Sequence, residues 1–164
     1  MNLVHLHLLL NHFPVIGVLI AALLLAVAVG RRSGELAKAS LALLALVGTM
    51  AVLVFFTGEP AQEAVEKLPG ISERVIDHHE DAARLATIVT AAMGAFALGA
   101  LAVYRRRALP HLLTLLALLG AVGSTAMMGY AANLGGQIRH TEIRNGSLPS
   151  ATGGGVDGRE ADER

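Results

Sequence analysis

Four long apolar stretches alternate with shorter polar segments along this chain. They cover residues 3–29, 36–56, 82–104 and 109–134 or beyond. Each stretch is long enough to cross the hydrocarbon layer of a bilayer, about 30 Å thick, because a helix rises about 1.5 Å per residue. The pattern therefore predicts an all-α fold in which residues 1–144 form a four-helix transmembrane bundle.

Two amphipathic segments and a polar tail complete the predicted secondary structure. Pro60 follows the second apolar stretch and favours a short surface helix that ends near residue 67. The segment 72–81 is predicted to lead directly into the third helix, with Ser72 as its cap. Residues 145–164 contain almost nothing apolar, so we expect them to form a disordered tail.

The charged residues between the apolar stretches predict the orientation of the chain. Basic side chains dominate the first and third connections, and acidic side chains dominate the second, which covers 57–82. The basic residues are Arg31, Arg32 and Lys38 in the first connection and Arg105, Arg106 and Arg107 in the third. Since cytoplasmic loops carry an excess of Lys and Arg, the pattern predicts a multi-pass protein of the inner (plasma) membrane with both termini outside.

The overall composition excludes several classes of function. The chain is 54% hydrophobic with a mean hydropathy of +0.57, which is typical of a membrane protein. Its formal net charge is zero, and no basic patch carries interleaved aromatic residues, so nucleic acid is not expected as a partner. Because cysteine is absent, disulfides, thiolate-ligated clusters and covalently attached haem are excluded. Imidazole and carboxylate remain as the strong ligands.

Most histidines of the chain are predicted to lie at the outer end of the bundle. These are His5, His7, His12, His78, His79 and His140, whereas His111 belongs to the inner side. Ionisable side chains at membrane depth cost free energy and often mark functional sites. A single histidine at this level is more often an interfacial anchor than a ligand, but the grouping of six favours ligation.

Helical geometry separates neighbouring histidines. At about 100° per residue, His5 and His12 share one face of the first helix, and His7 lies about 140° from His12. Pro14 cannot donate a hydrogen bond to the carbonyl of Leu10, which predicts a kink at this level.

The other two helices that carry histidines show polar and small-residue faces. His78 and His79 point about 100° apart, so only one can face the bundle; we expect this to be His79, which heads a face of small residues. On the fourth helix, Tyr130, Asn133 and His140 share a face with Gln137, provided that the helix continues beyond Gly135 and Gly136.

The motifs of the chain resemble those of a broad family of small bacterial four-helix membrane proteins of unassigned function. The resemblance rests on the His-x4-His-Phe-Pro opening at residues 7–14, Thr57 and Gly58 closing the second helix, a histidine at the start of the third, and Gly135 and Gly136 followed by His140. Some members of that family look fused to, or encoded beside, Rieske-type iron–sulfur proteins. The resemblance implies an electron-transfer context and b-type haem.

The leading hypothesis is a subunit that binds haem b and transfers electrons, rather than a stand-alone enzyme. Two imidazoles from different helices can take both axial positions of a haem without any cysteine. We expect His12 and either His78 or His79 to hold one haem. His7 and His140 would complete a second site or bind propionates. Electrons would pass between a quinol in the lipid bilayer and a periplasmic or Rieske-type carrier.

Two other hypotheses use the same residues differently. In the first, His7, His12, His79 and His140 bind a non-haem iron, copper or zinc ion together with Glu59, Glu80 or Glu142. In the second, the chain is a structural or assembly subunit without a cofactor, and its histidines are interfacial anchors. The sequence contains no arrangement of a nucleophile with a base and no glycine-rich phosphate loop, so a hydrolase or a nucleotide-dependent enzyme is not expected.

Overall fold

The computed structural model describes residues 3–66 and 72–140 of the chain, and these residues form six α-helices. The helices are α1 (Leu3–Leu10), α2 (His12–Arg31), α3 (Gly34–Phe56), α4 (Gly58–Glu66), α5 (Glu73–Tyr104) and α6 (His111–Arg139). The tail predicted at 145–164 and the candidate ligand Glu142 lie outside the described residues.

The helices combine into four rods that are long and apolar enough to cross a membrane. In the described part of the chain these rods are Leu3–Arg31, Gly34–Glu66, Glu73–Tyr104 and His111–Arg139. This confirms the predicted all-α, four-helix fold. The third rod begins at Glu73 rather than at residue 82, because the segment after Ser72 runs into it without a break, as its amphipathic pattern suggested.

The hydrogen-bond ladder of the first rod is interrupted at Asn11, where α1 ends and α2 begins. The N–H of Asn11 donates to the carbonyl oxygen of His7 at 2.9 Å. Pro14, in the first turn of α2, has no N–H to donate to the carbonyl of Leu10, so the helical hydrogen-bond ladder is interrupted at this level. Asn11 itself keeps helical backbone angles, with φ of −61° and ψ of −27°. The structure therefore shows an interrupted hydrogen-bond ladder at the predicted level, and the kink stays a prediction.

The turn between α2 and α3 is closed by local hydrogen bonds. Arg32 adopts the left-handed conformation, with φ of 49°, and the N–H groups of Arg32 and Ser33 bond to the last carbonyls of α2. The side chain of Ser33 then accepts a hydrogen bond from the N–H of Leu36 at 3.3 Å and so caps α3.

The rods pack in a ring in which each contacts the next along the chain. Helix α2 packs against α3 and α6, and α5 packs against α3 and α6. Consecutive rods run antiparallel, so one end of the bundle gathers α1, α4 and the start of α5, and we call it the histidine end. The other end gathers the turn at Arg32, the turn 105–107 and the start of α6, and we call it the arginine end.

Small residues let the helices approach closely in the core. A Cβ built on Gly48 of α3 would lie 2.9 Å from both the Cα atom of Gly94 and the carbonyl oxygen of Thr90 on α5. The buried face of α5 also contains Ala86 and Ala97. Close backbone approach is how helices gain van der Waals contact in lipid, where leucine side chains have no preference for one another.

The outward faces of the rods are apolar along most of their length. Leu23, Leu119 and Val103, from three different rods, expose between 59% and 69% of their surface. Continuous apolar surface of this extent is rare on proteins in water, and it matches the lipid-facing surface of a membrane bundle. The fold is thus consistent with a multi-pass membrane protein.

Replacing Gly48 by Ala should destabilise the bundle, because the added methyl group has backbone rather than a movable side chain as its neighbour. The free energy of unfolding in detergent micelles should fall by about 1–3 kcal/mol, the usual range for overpacking. Gly99→Ala is the matched control, since a Cβ at Gly99 meets nothing within 4 Å. Equal unfolding curves for the two variants would contradict the close α3–α5 contact.

Candidate functional site

His7 is held at the histidine end by the C-terminus of α3. Its Nδ1 atom lies 3.1 Å from Oγ1 of Thr57 and 3.3 Å from the carbonyl oxygen of Val54. The hydroxyl of Thr57 donates its own proton to the same carbonyl at 2.7 Å. Both neighbours of Nδ1 therefore present lone pairs, which favours the tautomer in which Nδ1 carries the proton.

The end of α3 supplies these acceptors because the last carbonyls of a helix have no partner within it. Val54 lies in the last turn of α3, and Thr57 is its C-terminal cap. The imidazole of His7, on α1, reaches them across 47 positions of the chain. The half-buried side chain of His7 thus ties the first rod to the second.

His79 makes the corresponding contact between the third and fourth rods. Its Nδ1 atom lies 2.9 Å from the carbonyl oxygen of Ala131 on α6. A carbonyl can only accept, so Nδ1 of His79 also carries the proton. The ring fits because Gly135 faces it: a Cβ built on Gly135 would lie 3.0 Å from Cε1 of His79.

His7 and His79 are the two half-buried histidines of the described residues, and both lie at the histidine end of the bundle. We call them the histidine pair. No residue in the described ranges bonds to Nε2 of either ring. A histidine that ligates a metal commonly donates its other ring N–H to a carbonyl, and both rings show this arrangement.

The other predicted ligands lie at the same end but are exposed. His5 and His12 are exposed on the first rod, His78 is exposed on α5, and His140 is exposed at the C-terminal cap of α6. His79, rather than His78, faces the neighbouring helix. The structure does not bring His12 or His140 into the pair formed by His7 and His79.

The polar residues predicted on one face of α6 do not point into the bundle. The helix does continue through Gly135 and Gly136 to Arg139. Tyr130 and Asn133 are exposed, and Oδ1 of Asn133 accepts a hydrogen bond from Nε2 of Gln137 at 2.7 Å. This face therefore belongs to the surface of the bundle.

Among the described residues, carboxylates do not complete a metal centre around the histidine pair. Glu59 is exposed, and Glu80 forms an ion pair with Arg84 at 2.8 Å. Over residues 3–66 and 72–140, no group of three or more His, Asp or Glu side chains is arranged to hold a metal ion. The pair of imidazoles is the ligand set that remains.

A shallow apolar groove runs along the α5–α6 surface beside His79. It has a volume of about 290 Å³ and is lined by Ala82, Leu85, Ala126, Met127 and Tyr130. Ala82 is one turn from His79, and Tyr130 precedes the residue whose carbonyl holds the His79 ring. The groove is open toward the side of the bundle.

Sequence reasoning missed the residues that position the two rings. The motif analysis gives Thr57 and Gly135 no role in holding a histidine, and the carbonyls of Val54 and Ala131 carry no signal in a sequence. The signals that could have indicated Thr57 and Gly135 are a hydroxyl residue at a helix end and a glycine inside an apolar helix.

In comparisons with known protein families, curated proteins and solved structures, nothing matches this chain.

Replacing Gly135 by Ala should displace the imidazole of His79, because the new methyl group would press on Cε1 at 3.0 Å. In ¹⁵N-labelled protein, the hydrogen-bonded Nδ1–H resonance of His79 should shift strongly or disappear. Gly58→Ala is the matched control: its Cβ would lie 3.6 Å from Cε1 of His7, an ordinary contact, so the His7 resonance should persist. An unchanged His79 signal in the Gly135 variant would show that the ring does not pack there.

Proposed function

We propose that this chain binds b-type haem between His7 and His79 and carries single electrons at the histidine end of the bundle. The observation that supports this is the pair of half-buried imidazoles whose Nδ1 atoms are bound to helix carbonyls while Nε2 stays available. Two neutral nitrogens from opposite sides are what a bis-imidazole haem requires. Haem would supply a one-electron redox centre, and this chain would supply its ligands and its apolar surroundings.

The hydrogen bonds behind the rings give the two histidines their role. Donation from Nδ1 to a carbonyl fixes the tautomer, prevents the ring from rotating and makes Nε2 a stronger donor to iron. Thr57 acts on His7 in this way, and the backbone of Ala131 acts on His79. Both are positioning groups that would not touch the cofactor.

The electron donor and acceptor follow from the surroundings of the pair. A quinol dissolved in the bilayer could reach the groove on α5 and α6, where Tyr130 offers a hydroxyl group beside an apolar floor. The likeness of the motifs to four-helix membrane proteins associated with Rieske-type proteins supports an iron–sulfur or other periplasmic carrier as the second partner. The chain is then one subunit of an electron-transfer system in the inner membrane.

One observation favours a second candidate function, that of a structural or assembly subunit. Each histidine connects two consecutive rods, through residues that lie 47 and 52 positions apart in the chain. Hydrogen bonds between helices stabilise membrane bundles without any cofactor, and model peptides give about 1–2 kcal/mol for each. A bare iron, copper or zinc ion is less well supported, because two imidazoles fill only half of the positions of a tetrahedral site.

Absorbance of the purified protein separates these functions. Expressed in a haem-replete host, the wild type should show an intense Soret band with a low-spin spectrum. His7→Ala and His79→Ala should each lose the haem or turn it high-spin, because an axial imidazole is removed. His111→Ala at the arginine end and exposed His78→Ala are controls that should leave the spectrum unchanged, and exposed His12→Ala should do the same.

The opposite results identify the alternatives. A wild type without Soret absorbance but with bound metal by elemental analysis would replace haem by a metal ion. If neither is found, and His7→Ala and His79→Ala still lower the unfolding temperature relative to His78→Ala, the histidines serve the packing of the bundle. The haem proposal would then be wrong.

The orientation of the bundle decides which carriers can reach the site. We propose that the arginine end faces the cytoplasm, because the basic turns lie there. A green fluorescent reporter fused after Arg107 should fluoresce, and alkaline phosphatase fused at the same place should be inactive. Active phosphatase after Arg107 would place the histidine end in the cytoplasm and exclude a periplasmic carrier.

A further inference from the structure

The arginine end contains a basic cavity that the electron-transfer proposal does not use. It has a volume of about 840 Å³ and opens at the ends of α2, α3, α5 and α6. Five cationic side chains line it: Arg32, Lys38, Arg105, Arg106 and Arg107. Glu35 is the carboxylate in the lining, so the cavity carries a strong excess of positive charge. We call it the arginine-end cavity.

The backbone around the cavity also favours a negative charge. The first turns of α3 and α6, at Gly34 and His111, line it, and the leading N–H groups of a helix have no partner within that helix. The pyrrolidine of Pro110, the residue before α6, offers no side-chain cap. By contrast, the last carbonyls of α2 are already satisfied by the N–H groups of Arg32 and Ser33.

The backbone conformation of Arg32 costs free energy. Its φ of 49° lies in the left-handed region, which glycine adopts freely and which costs other residues about 1–2 kcal/mol. Helices commonly end on glycine at this place. The side chain of Arg32 lines the cavity. A cationic residue that is kept at a strained backbone position indicates a function for its side chain.

The residues below the charged rim of the cavity are suited to a position at the edge of a membrane. Ala28 and Thr114 are buried beneath the charged rim, and Leu109 is half-buried beside them. The cavity therefore offers positive charge at its mouth and apolar contact below, between helices whose outer faces are apolar. Its volume also exceeds what one phosphate ion needs and falls in the range of about 300–1,000 Å³ that is typical of ligand sites.

We propose that the arginine-end cavity binds the headgroup of an anionic phospholipid that carries two phosphodiesters. Arginine side chains hold phosphate through paired N–H groups, and basic pockets between membrane helices bind headgroups of this class. The adjoining apolar helix surfaces accommodate the acyl chains. The site lies at the opposite end from the histidine pair, so it does not depend on the haem proposal.

The test uses the full-length protein in an uncharged maltoside detergent. Tetraoleoyl cardiolipin, dioleoyl phosphatidylcholine and sodium pyrophosphate are added separately, and binding is followed by native mass spectrometry and by the unfolding temperature. Cardiolipin should bind and stabilise the protein, phosphatidylcholine should do neither, and raising the salt concentration should weaken the effect. Pyrophosphate that matched cardiolipin would overturn the lipid assignment in favour of a soluble phosphate compound.

Arg32→Gly is the most informative variant, because it relieves the left-handed strain while it removes the cation. Its stability without lipid should be unchanged or higher, yet its affinity for cardiolipin should fall about fivefold, the usual effect of one cation near an anionic surface. The variant with Arg105, Arg106 and Arg107 all replaced by Gln should lose on the order of a hundredfold by the same reasoning.

Arg31→Gln is the matched control for Arg32. It removes a neighbouring exposed cation that does not line the cavity, so cardiolipin affinity should change less than twofold. If Arg31→Gln weakened binding as much as Arg32→Gly, the attraction would be a general property of the basic surface and the proposed site would be wrong. Unchanged cardiolipin binding in the Arg32 and triple variants would also overturn it.

Discussion

Lipid offers no hydrogen-bond partner to a protein backbone, and this constraint governs both the fold and the candidate site. Inside the bilayer the N–H and C=O groups must be satisfied within the chain, which is why its membrane-crossing elements are helices. In the middle of a rod, the backbone groups find their partners within the same helix. Where a helix ends or is interrupted, some N–H and C=O groups need a partner from elsewhere in the chain. The polar contacts described here cluster at such places, around Val54, Thr57 and the turn at Arg32.

The two histidines of the pair illustrate how one polar group can serve two purposes. His7 satisfies the open end of α3, and His79 bonds to a carbonyl within α6 where Gly135 leaves room for its ring. In each case Nδ1 bonds to a neighbouring helix, and Nε2 has no hydrogen-bond partner among the described residues. Under the haem proposal, packing and ligation are coupled, because a change that loosens either contact would also misplace the Nε2 atom of that ring.

The large features of this fold could be read from the sequence, because they depend on long uniform patterns. Apolar runs located the four rods, and the spacing of His5, His7 and His12 gave their relative directions around the first helix. On the third rod the face of small residues below His79 indicates which side packs, and His79 does face the neighbouring helix. The first rod is apolar on all sides, so its sequence does not show whether His7 or His12 points inward. Packing turns His7 inward and leaves His12 exposed. The arginine-end cavity was likewise hidden, because its lining comes from two turns that are distant in the chain.

The turn at Asn11 has a consequence for how the protein adapts to its bilayer. An unbroken helix over the 29 residues of Leu3–Arg31 would be about 43 Å long and would have to tilt steeply or distort the surrounding lipid. The 20 residues of α2 alone span about 30 Å, which matches the hydrocarbon layer without such mismatch. Because Pro14 leaves the hydrogen-bond ladder incomplete at this level, the joint at Asn11 is where the first rod bends at the lowest cost. The contact of His7 with Val54 and Thr57 meanwhile fastens α1 to the end of α3, so the depth of His7 follows the second rod.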